Sequence, residues 1–197
     1  MRTGIYGGSF NPVHNGHIRN VQSAADELGL DRVYLVPSRI SPHRSSADYA
    51  SGGDRLEMLR LACADDPRLI PCDYELKREA VSYSIYTVEH FRRLLPDDEL
   101  FLLVGSDMLM CFDKWYRFED IMREVTLCAS TRSGDDRAEL CRKAEELGKY
   151  GKVIVTESCP IVVSSTKVRK KIAKNEDFTC YLHENVVQYI RLKKLYT

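Results

Sequence analysis

A chain of 197 residues, 44% hydrophobic and 29% charged, fits one domain and is long enough to bury a core. Its 29 Lys and Arg balance 29 Asp and Glu, so no global field draws nucleic acid or an acidic membrane, and any basic site has to be local. Seven cysteines without CxxC spacing exclude a disulfide framework or zinc knuckle and suit buried thiols in a reducing cytoplasm; the longest clean apolar run, Leu100–Val104, is too short for a bilayer.

In chain order, Thr3–Gly8 reads as a strand, and Ile18, Val21, Ala25 and Leu28 then recur at helical spacing. No signal peptide is expected after Met1, since no apolar run of the needed length follows it. A second strand, Arg32–Pro37, precedes a helix over Asp54–Ala64 with Leu56, Leu59 and Cys63 on one face. Arg68–Leu76 is a weaker strand placed at a sheet edge, because Pro71 cannot donate to a ladder. Ser84–Leu95 is helical, and Leu100–Gly105 is the near-continuous apolar strand of a sheet covered on both faces. Val125–Ser130 and Lys152–Glu157 repeat that type, with a helical face of Ala138, Cys141, Ala144 and Leu147 between them. Helices over Ser165–Lys174 and roughly Glu184–Leu195 close the chain. The alternation predicts an α/β fold, a Rossmann-like parallel sheet with helices on both faces, forming a single domain over 1–197 with a small carboxyl-terminal helical part from about 164. A polar loop as long as Ser38–Gly53 inside a compact domain is usually functional or mobile.

Ligands of open parallel sheets sit beyond the carboxyl ends of the strands, and the stretch Gly4–His17, GIYGGSFNPVHNGH, lies at such an end. Gly7 and Gly8 allow close approach of backbone, and Gly16 with His17 opens a helix whose free N–H groups attract anions. Neither GxGxxG nor GxxxxGK[ST] is present, which excludes a dinucleotide fingerprint and a P-loop. His14 and His17 beside a helix start suit a phosphate, the alternative being a histidine that only caps or packs. Ser164, Ser165 and Thr166 stand where a helix begins, with Arg169 one turn inside, and make a second anion site or a plain hydroxyl cap with a basic face at Lys170, Lys171 and Lys174. Gly105 and Asp107 follow the buried strand, where a carboxylate can hold ribose hydroxyls; Trp115, the only tryptophan, reads as core or as a stacking platform. His43 and Arg44 supply cations in the long loop, and Ser82, Tyr83, Ser84 and Thr87 read as a helix cap. No Ser-His-Asp, Cys-His or paired-carboxylate arrangement stands out, and the clustering groups suit positioning and charge neutralisation.

GGSFNPVHNGH together with SSTKVR resembles the HxGH nucleotidyltransferase superfamily; with SYS, GSDMLMCFDKWY and ISPHR the resemblance narrows to the bacterial nicotinate-nucleotide adenylyltransferase family over essentially the whole chain. It implies joining of ATP and nicotinate mononucleotide to give deamido-NAD and pyrophosphate, with Mg²⁺ carried on ATP. It also implies that His14, His17 and Arg169 serve catalysis, and that Gly7, Gly8, Ser9, Phe10, Gly105, Asp107, Ser164, Ser165 and Thr166 bind ATP. Trp115 would stack on the pyridine ring with Ser84 and the Tyr116 backbone near its carboxylate, and His43, Arg44 and Arg132 would serve the mononucleotide phosphate. The chain departs from the family in Ser84, where threonine is usual, and in Ser133, where proline is usual. A sister enzyme, pantetheine-phosphate adenylyltransferase, shares both end motifs, and a nucleotide-sensing protein without turnover is the rival of another class. The sequence leaves open whether the enzyme is a homo-oligomer.

Overall fold

The computed structural model describes residues 1–39, 50–79, 81–131, 137–157 and 163–197. Six strands, β1 (Arg2–Gly8), β2 (Arg32–Pro37), β3 (Leu69–Pro71), β4 (Glu99–Gly105), β5 (Thr126–Ser130) and β6 (Val153–Thr156), form one sheet in the order β3-β2-β1-β4-β5-β6. All five pairings are parallel. The chain first builds outward from β1 to β3, then crosses back to start β4 on the other side of β1. That reversal between β1 and β4 is where an open α/β sheet leaves a crevice for a ligand.

The helices are α1 (Asn15–Leu28), α2 (Gly52–Ala62), α3 (Ser84–Leu94), α4 (Ser106–Met110), α5 (Phe118–Glu124), α6 (Arg137–Leu147), α7 (Ser165–Ala173) and α8 (Glu184–Lys193). Two cores lie on the two faces of the sheet. The period-2 alternation of β4 serves both: Phe101 and Leu103 point to the face covered by α1, α2, α7 and α8, while Leu100, Leu102 and Val104 point to the face covered by α3, α4, α5 and α6. A strand buried on both sides has no polar face to show, which is why LFLLV reads as a continuous apolar run. Each of these side chains contributes about 1.5–3 kcal/mol by leaving water.

The strands and most helices fall where the periodicity puts them, with β3 at the edge as expected but cut short to Leu69–Pro71, since Tyr74–Lys77 form a turn. The segment after β4 carried no helical expectation, yet it forms α4, a 3₁₀ turn at Phe112–Lys114 and α5. These pieces are too short to show a full apolar period; Leu109, Phe112 and Ile121 pin them to the core instead. The face of α6 also differs: Leu140 and Leu147 are the buried pair and Ala138 is exposed, because leucine gains more from burial than alanine.

At the amino ends of the strands Asp98 accepts from Thr3 Oγ1 at 2.5 Å and from Arg32 Nη2 at 2.7 Å, and meets the chain's amino terminus at 3.3 Å. These donors hold its carboxyl down at about 2. This bracket ties β1, β2 and β4 together at the end of the sheet away from the glycine-rich loop.

Candidate active site

The loop from Ser9 to His14 joins β1 to α1 over the carboxyl ends of the strands. Its anchor is Phe10, fully buried with φ at 45°, whose ring meets His17 edge-on at 5.2 Å between centroids. A Cβ on Gly8 would lie 3.0 Å from that ring, so Gly8 is a packing requirement of the anchor. The Phe10 side chain is packed away inside the fold and shapes the loop rather than meeting a ligand.

His14 is the N-cap of α1. Its Nδ1 accepts from the His17 N–H at 3.2 Å, while the His17 Nδ1 accepts from the His14 N–H at 3.2 Å, a reciprocal capping box. A nitrogen that accepts a hydrogen bond carries no proton, so in the neutral tautomer each ring keeps its hydrogen on Nε2. Capping and ligand binding are therefore not alternatives for these histidines. One nitrogen of each orders the helix start, and the other remains a donor. His14 is 6% exposed, and desolvation lowers its pKa from 6.5 to about 4, so it is a neutral donor near pH 7 in the ligand-free protein.

The two end motifs of the sequence converge here. Arg169 Nη1 donates to the Asn11 carbonyl at 2.8 Å and Nη2 approaches Thr166 Oγ1 at 3.4 Å. The Ser165 hydroxyl donates to the Pro12 carbonyl at 2.9 Å and is buried, so its proton braces the loop. Ser164 is the N-cap of α7 with no side-chain cap bond, which departs from the plain cap reading and leaves the helix start uncapped by its hydroxyls. Ser164, Thr166, Lys167, Lys170 and Lys171 line a groove of about 460 Å³ along this helix.

Gly7, next to last in β1, and Gly105, last in β4, stand on the two sides of the switch point. A Cβ at either position would meet nothing within 4 Å, so the folded chain does not itself demand glycine there. The room is left for something else. Asp107 stands exposed in the first turn of α4, directly beyond Gly105.

A third group forms around the start of α3. Ser84 is its first residue, and Tyr83, the N-cap, makes no side-chain cap bond. The Tyr83 ring lies 4.8 Å from that of Tyr116, so this helix start adjoins the segment Trp115–Tyr116. Trp115 is partly buried against the fully buried Phe112, at 4.8 Å between centroids. The expected hydroxyl cap is absent because the hydroxyls are used elsewhere: Thr87 Oγ1 donates to Glu75 Oε1 at 2.6 Å, and Ser82 Oγ accepts from the Arg39 N–H at 3.0 Å. His43, Arg44 and Arg132 lie outside the described residues.

Three functional supports escaped sequence reasoning. Arg55 is 3% exposed and donates from Nη1 to the Ser9 carbonyl at 2.8 Å and from Nε to the Ala50 carbonyl at 3.2 Å. In the sequence it looks like any charged helix residue. Glu75 is a buried carboxylate whose pKa burial raises, and its only signal was an acidic residue in a weak strand. Asn11 was legible only as part of a turn; it is 1% exposed and receives bonds from Ala50 and Arg169. Among the described residues no three His, Cys, Asp or Glu side chains converge on a metal position, and no helix is long and apolar enough to cross a membrane.

A parallel sheet with anion-ready donors gathered at its switch point defines an α/β nucleotidyltransferase. The chain belongs to the Cytidylyltransferase-like family, whose model matches residues 5–171. It is 32% identical to the "Probable nicotinate-nucleotide adenylyltransferase" of Shewanella frigidimarina, over all of both chains. It is 35% identical to the protein of that name from Neisseria meningitidis serogroup C, covering 99% of this chain and 98% of the other. In three dimensions it resembles Plasmodium falciparum nicotinic acid mononucleotide adenylyltransferase complexed with NaAD, with a TM-score of 0.81 over 99% of this chain and 97% of that one; at 18% identity this likeness shows the fold.

Proposed function

We propose that this enzyme transfers the adenylyl group of ATP to nicotinate mononucleotide, releasing pyrophosphate and deamido-NAD, in the cytoplasm. What carries the reading is the Arg169–Asn11 contact at 2.8 Å, which brings the two end motifs into one site in a chain whose full-length relatives bear that enzyme's name.

In this reading the ATP phosphates lie over Gly7–Phe10, with β- and γ-phosphates toward Ser164, Thr166 and Arg169 and the adenosine ribose toward Gly105 and Asp107. A phosphate oxygen of the mononucleotide attacks the α-phosphorus in line. The new O–P bond forms as the bond to the bridging oxygen breaks, and pyrophosphate leaves with that electron pair. The Nε2–H groups of His14 and His17 donate to the oxygens where charge builds. No side chain becomes covalently attached. Mg²⁺ enters with ATP as part of the substrate, on phosphate oxygens rather than protein carboxylates. Trp115 stacks on the pyridine ring, Ser84 and the Tyr116 N–H receive its carboxylate, and His43, Arg44 and Arg132 take the mononucleotide phosphate.

The test is product analysis with ATP, Mg²⁺ and a panel of nicotinate mononucleotide, nicotinamide mononucleotide and phosphopantetheine. Pyrophosphate and deamido-NAD are expected. A dephospho-coenzyme A product would instead assign the sister activity, and ligand binding without turnover would assign a sensor.

A further inference from the structure

The loop that carries the proposed phosphate site is also held from the far end of the chain. Tyr196 Oη donates to Asn11 Oδ1 at 2.7 Å. The same Oδ1 receives the Ala50 N–H at 3.0 Å, and the Asn11 carbonyl receives Arg169 Nη1 at 2.8 Å. One buried asparagine therefore joins a carboxyl-terminal phenol, the segment ahead of α2 and the Arg169 guanidinium.

The approach of Tyr196 is not a by-product of helix α8 running on. Lys194 (φ 51°) and Tyr196 (φ 64°) are both left-handed, which turns the chain back toward the loop in a conformation that non-glycine residues seldom adopt. Around it, Tyr189 Oη donates to Asp54 Oδ1 at 2.8 Å and Leu195 packs on the same core, so α8 and its tail are seated on α2. Burial raises the phenol's pKa while Arg169 and Arg55 oppose it, so two guanidiniums lie near a phenol that stays protonated.

We infer that Tyr196 is a positioning residue for adenylyl transfer, acting through Asn11 to fix the loop on which Arg169 and the two histidines are aligned. Without the phenol's donor, the Asn11 amide loses one of the bonds that set its rotation. The carbonyl gripped by Arg169 belongs to that same residue, so the guanidinium loses its register with the loop. The inference rests on the reading of Ser9–His17 as the phosphate site.

The experiment is steady-state turnover, with both substrates varied, in Tyr196→Phe, Arg169→Lys and the double variant, with melting temperatures and His17→Ala as a control. Tyr196→Phe removes one oxygen, and the expected result is a kcat lowered about fivefold, the worth of one hydrogen bond, with the nicotinate mononucleotide KM unchanged. In the Arg169→Lys background the same change should lower kcat no further, because the two side chains act through one residue. A Tyr196→Phe enzyme with a lower melting temperature and wild-type kcat would mark the tyrosine as packing and overturn the inference. So would the same fivefold loss in both backgrounds. Wild-type turnover by His17→Ala would instead overturn the phosphate-site reading.

Discussion

The imidazoles of His14 and His17 are stacked 3.5 Å apart and 11° from parallel, each ring accepting the other residue's backbone N–H. In the neutral rings this places both protons on Nε2 before any substrate arrives. Donors already aimed need no reorganisation when charge develops, so their effect falls on the transition state. Replacing His17 with Ala should lower kcat by roughly a hundredfold or more with a small change in ATP KM. It should also lower the melting temperature, since half of a capping box worth ~1 kcal/mol is lost. Equal proportional changes in kcat and KM, measured by initial rates, would contradict the assignment.

Stability should fall on acidification in a way that reports His14. Its pKa is about 4 in the folded protein against 6.5 as the ordinary value. Between those values the unfolded chain takes up a proton that the folded one refuses, so stability present near pH 7 is lost as pH falls from about 6.5 toward 4. The contribution is on the order of 3 kcal/mol. Urea unfolding at several pH values should show this slope in the native enzyme and a shallower one in His14→Gln. Identical slopes in the two proteins would show that other groups carry it.

The three glycines at the site should separate by cause. Gly8→Ala should destabilise by about 1–3 kcal/mol, because its Cβ would press on the buried Phe10 ring at 3.0 Å. Gly7→Ala and Gly105→Ala enter open space, so their stability should stay within about 0.5 kcal/mol of the parent. Their ATP KM should rise, since the added methyl stands where the nucleotide backbone is proposed to lie. Thermal melting and substrate kinetics on the three variants decide it; a stable Gly105→Ala with an unchanged KM would remove Gly105 from the ATP site.

Periodicity made the parallel sheet legible, because strands buried on both faces carry apolar runs, as Leu100–Val104 in β4 and Leu127–Ala129 in β5 do. Spacing made the two phosphate motifs legible, because donors at helix starts leave a local pattern. What stayed hidden works over long sequence distance. Arg55 holding Ser9, and Glu75 beside Thr87, are ordinary charged residues until tertiary structure buries them. The short helices α4 and α5 escaped for a different reason, since five and seven residues cannot complete two turns of an apolar pattern.

The start of α3 allows a last prediction about the pyridine nucleotide. Glu75 is 5% exposed and takes the Thr87 hydroxyl at 2.6 Å and a bond from Ser82, whose Oγ in turn holds the Arg39 N–H. These two hydroxyls bracket Ser84, the residue proposed to meet the nicotinate carboxylate, so Glu75 orders the helix start without touching substrate. Glu75→Gln preserves the shape but offers one carbonyl oxygen where the carboxylate offered two. One hydroxyl must then reorient, at a cost of ~1 kcal/mol in the alignment of Ser84. The expected outcome is a roughly fivefold lower kcat/KM for nicotinate mononucleotide and an unchanged ATP KM. The fold has reason to tolerate the change, because burial raises the Glu75 pKa by disfavouring the charged form, and an amide carries no charge to bury. Trp115→Ala serves as the partner variant: it should weaken the same substrate by ~1–3 kcal/mol through lost stacking while sparing ATP. If Glu75→Gln depresses both substrates equally, or lowers only the melting temperature, the carboxylate supports the core and not the pyridine site.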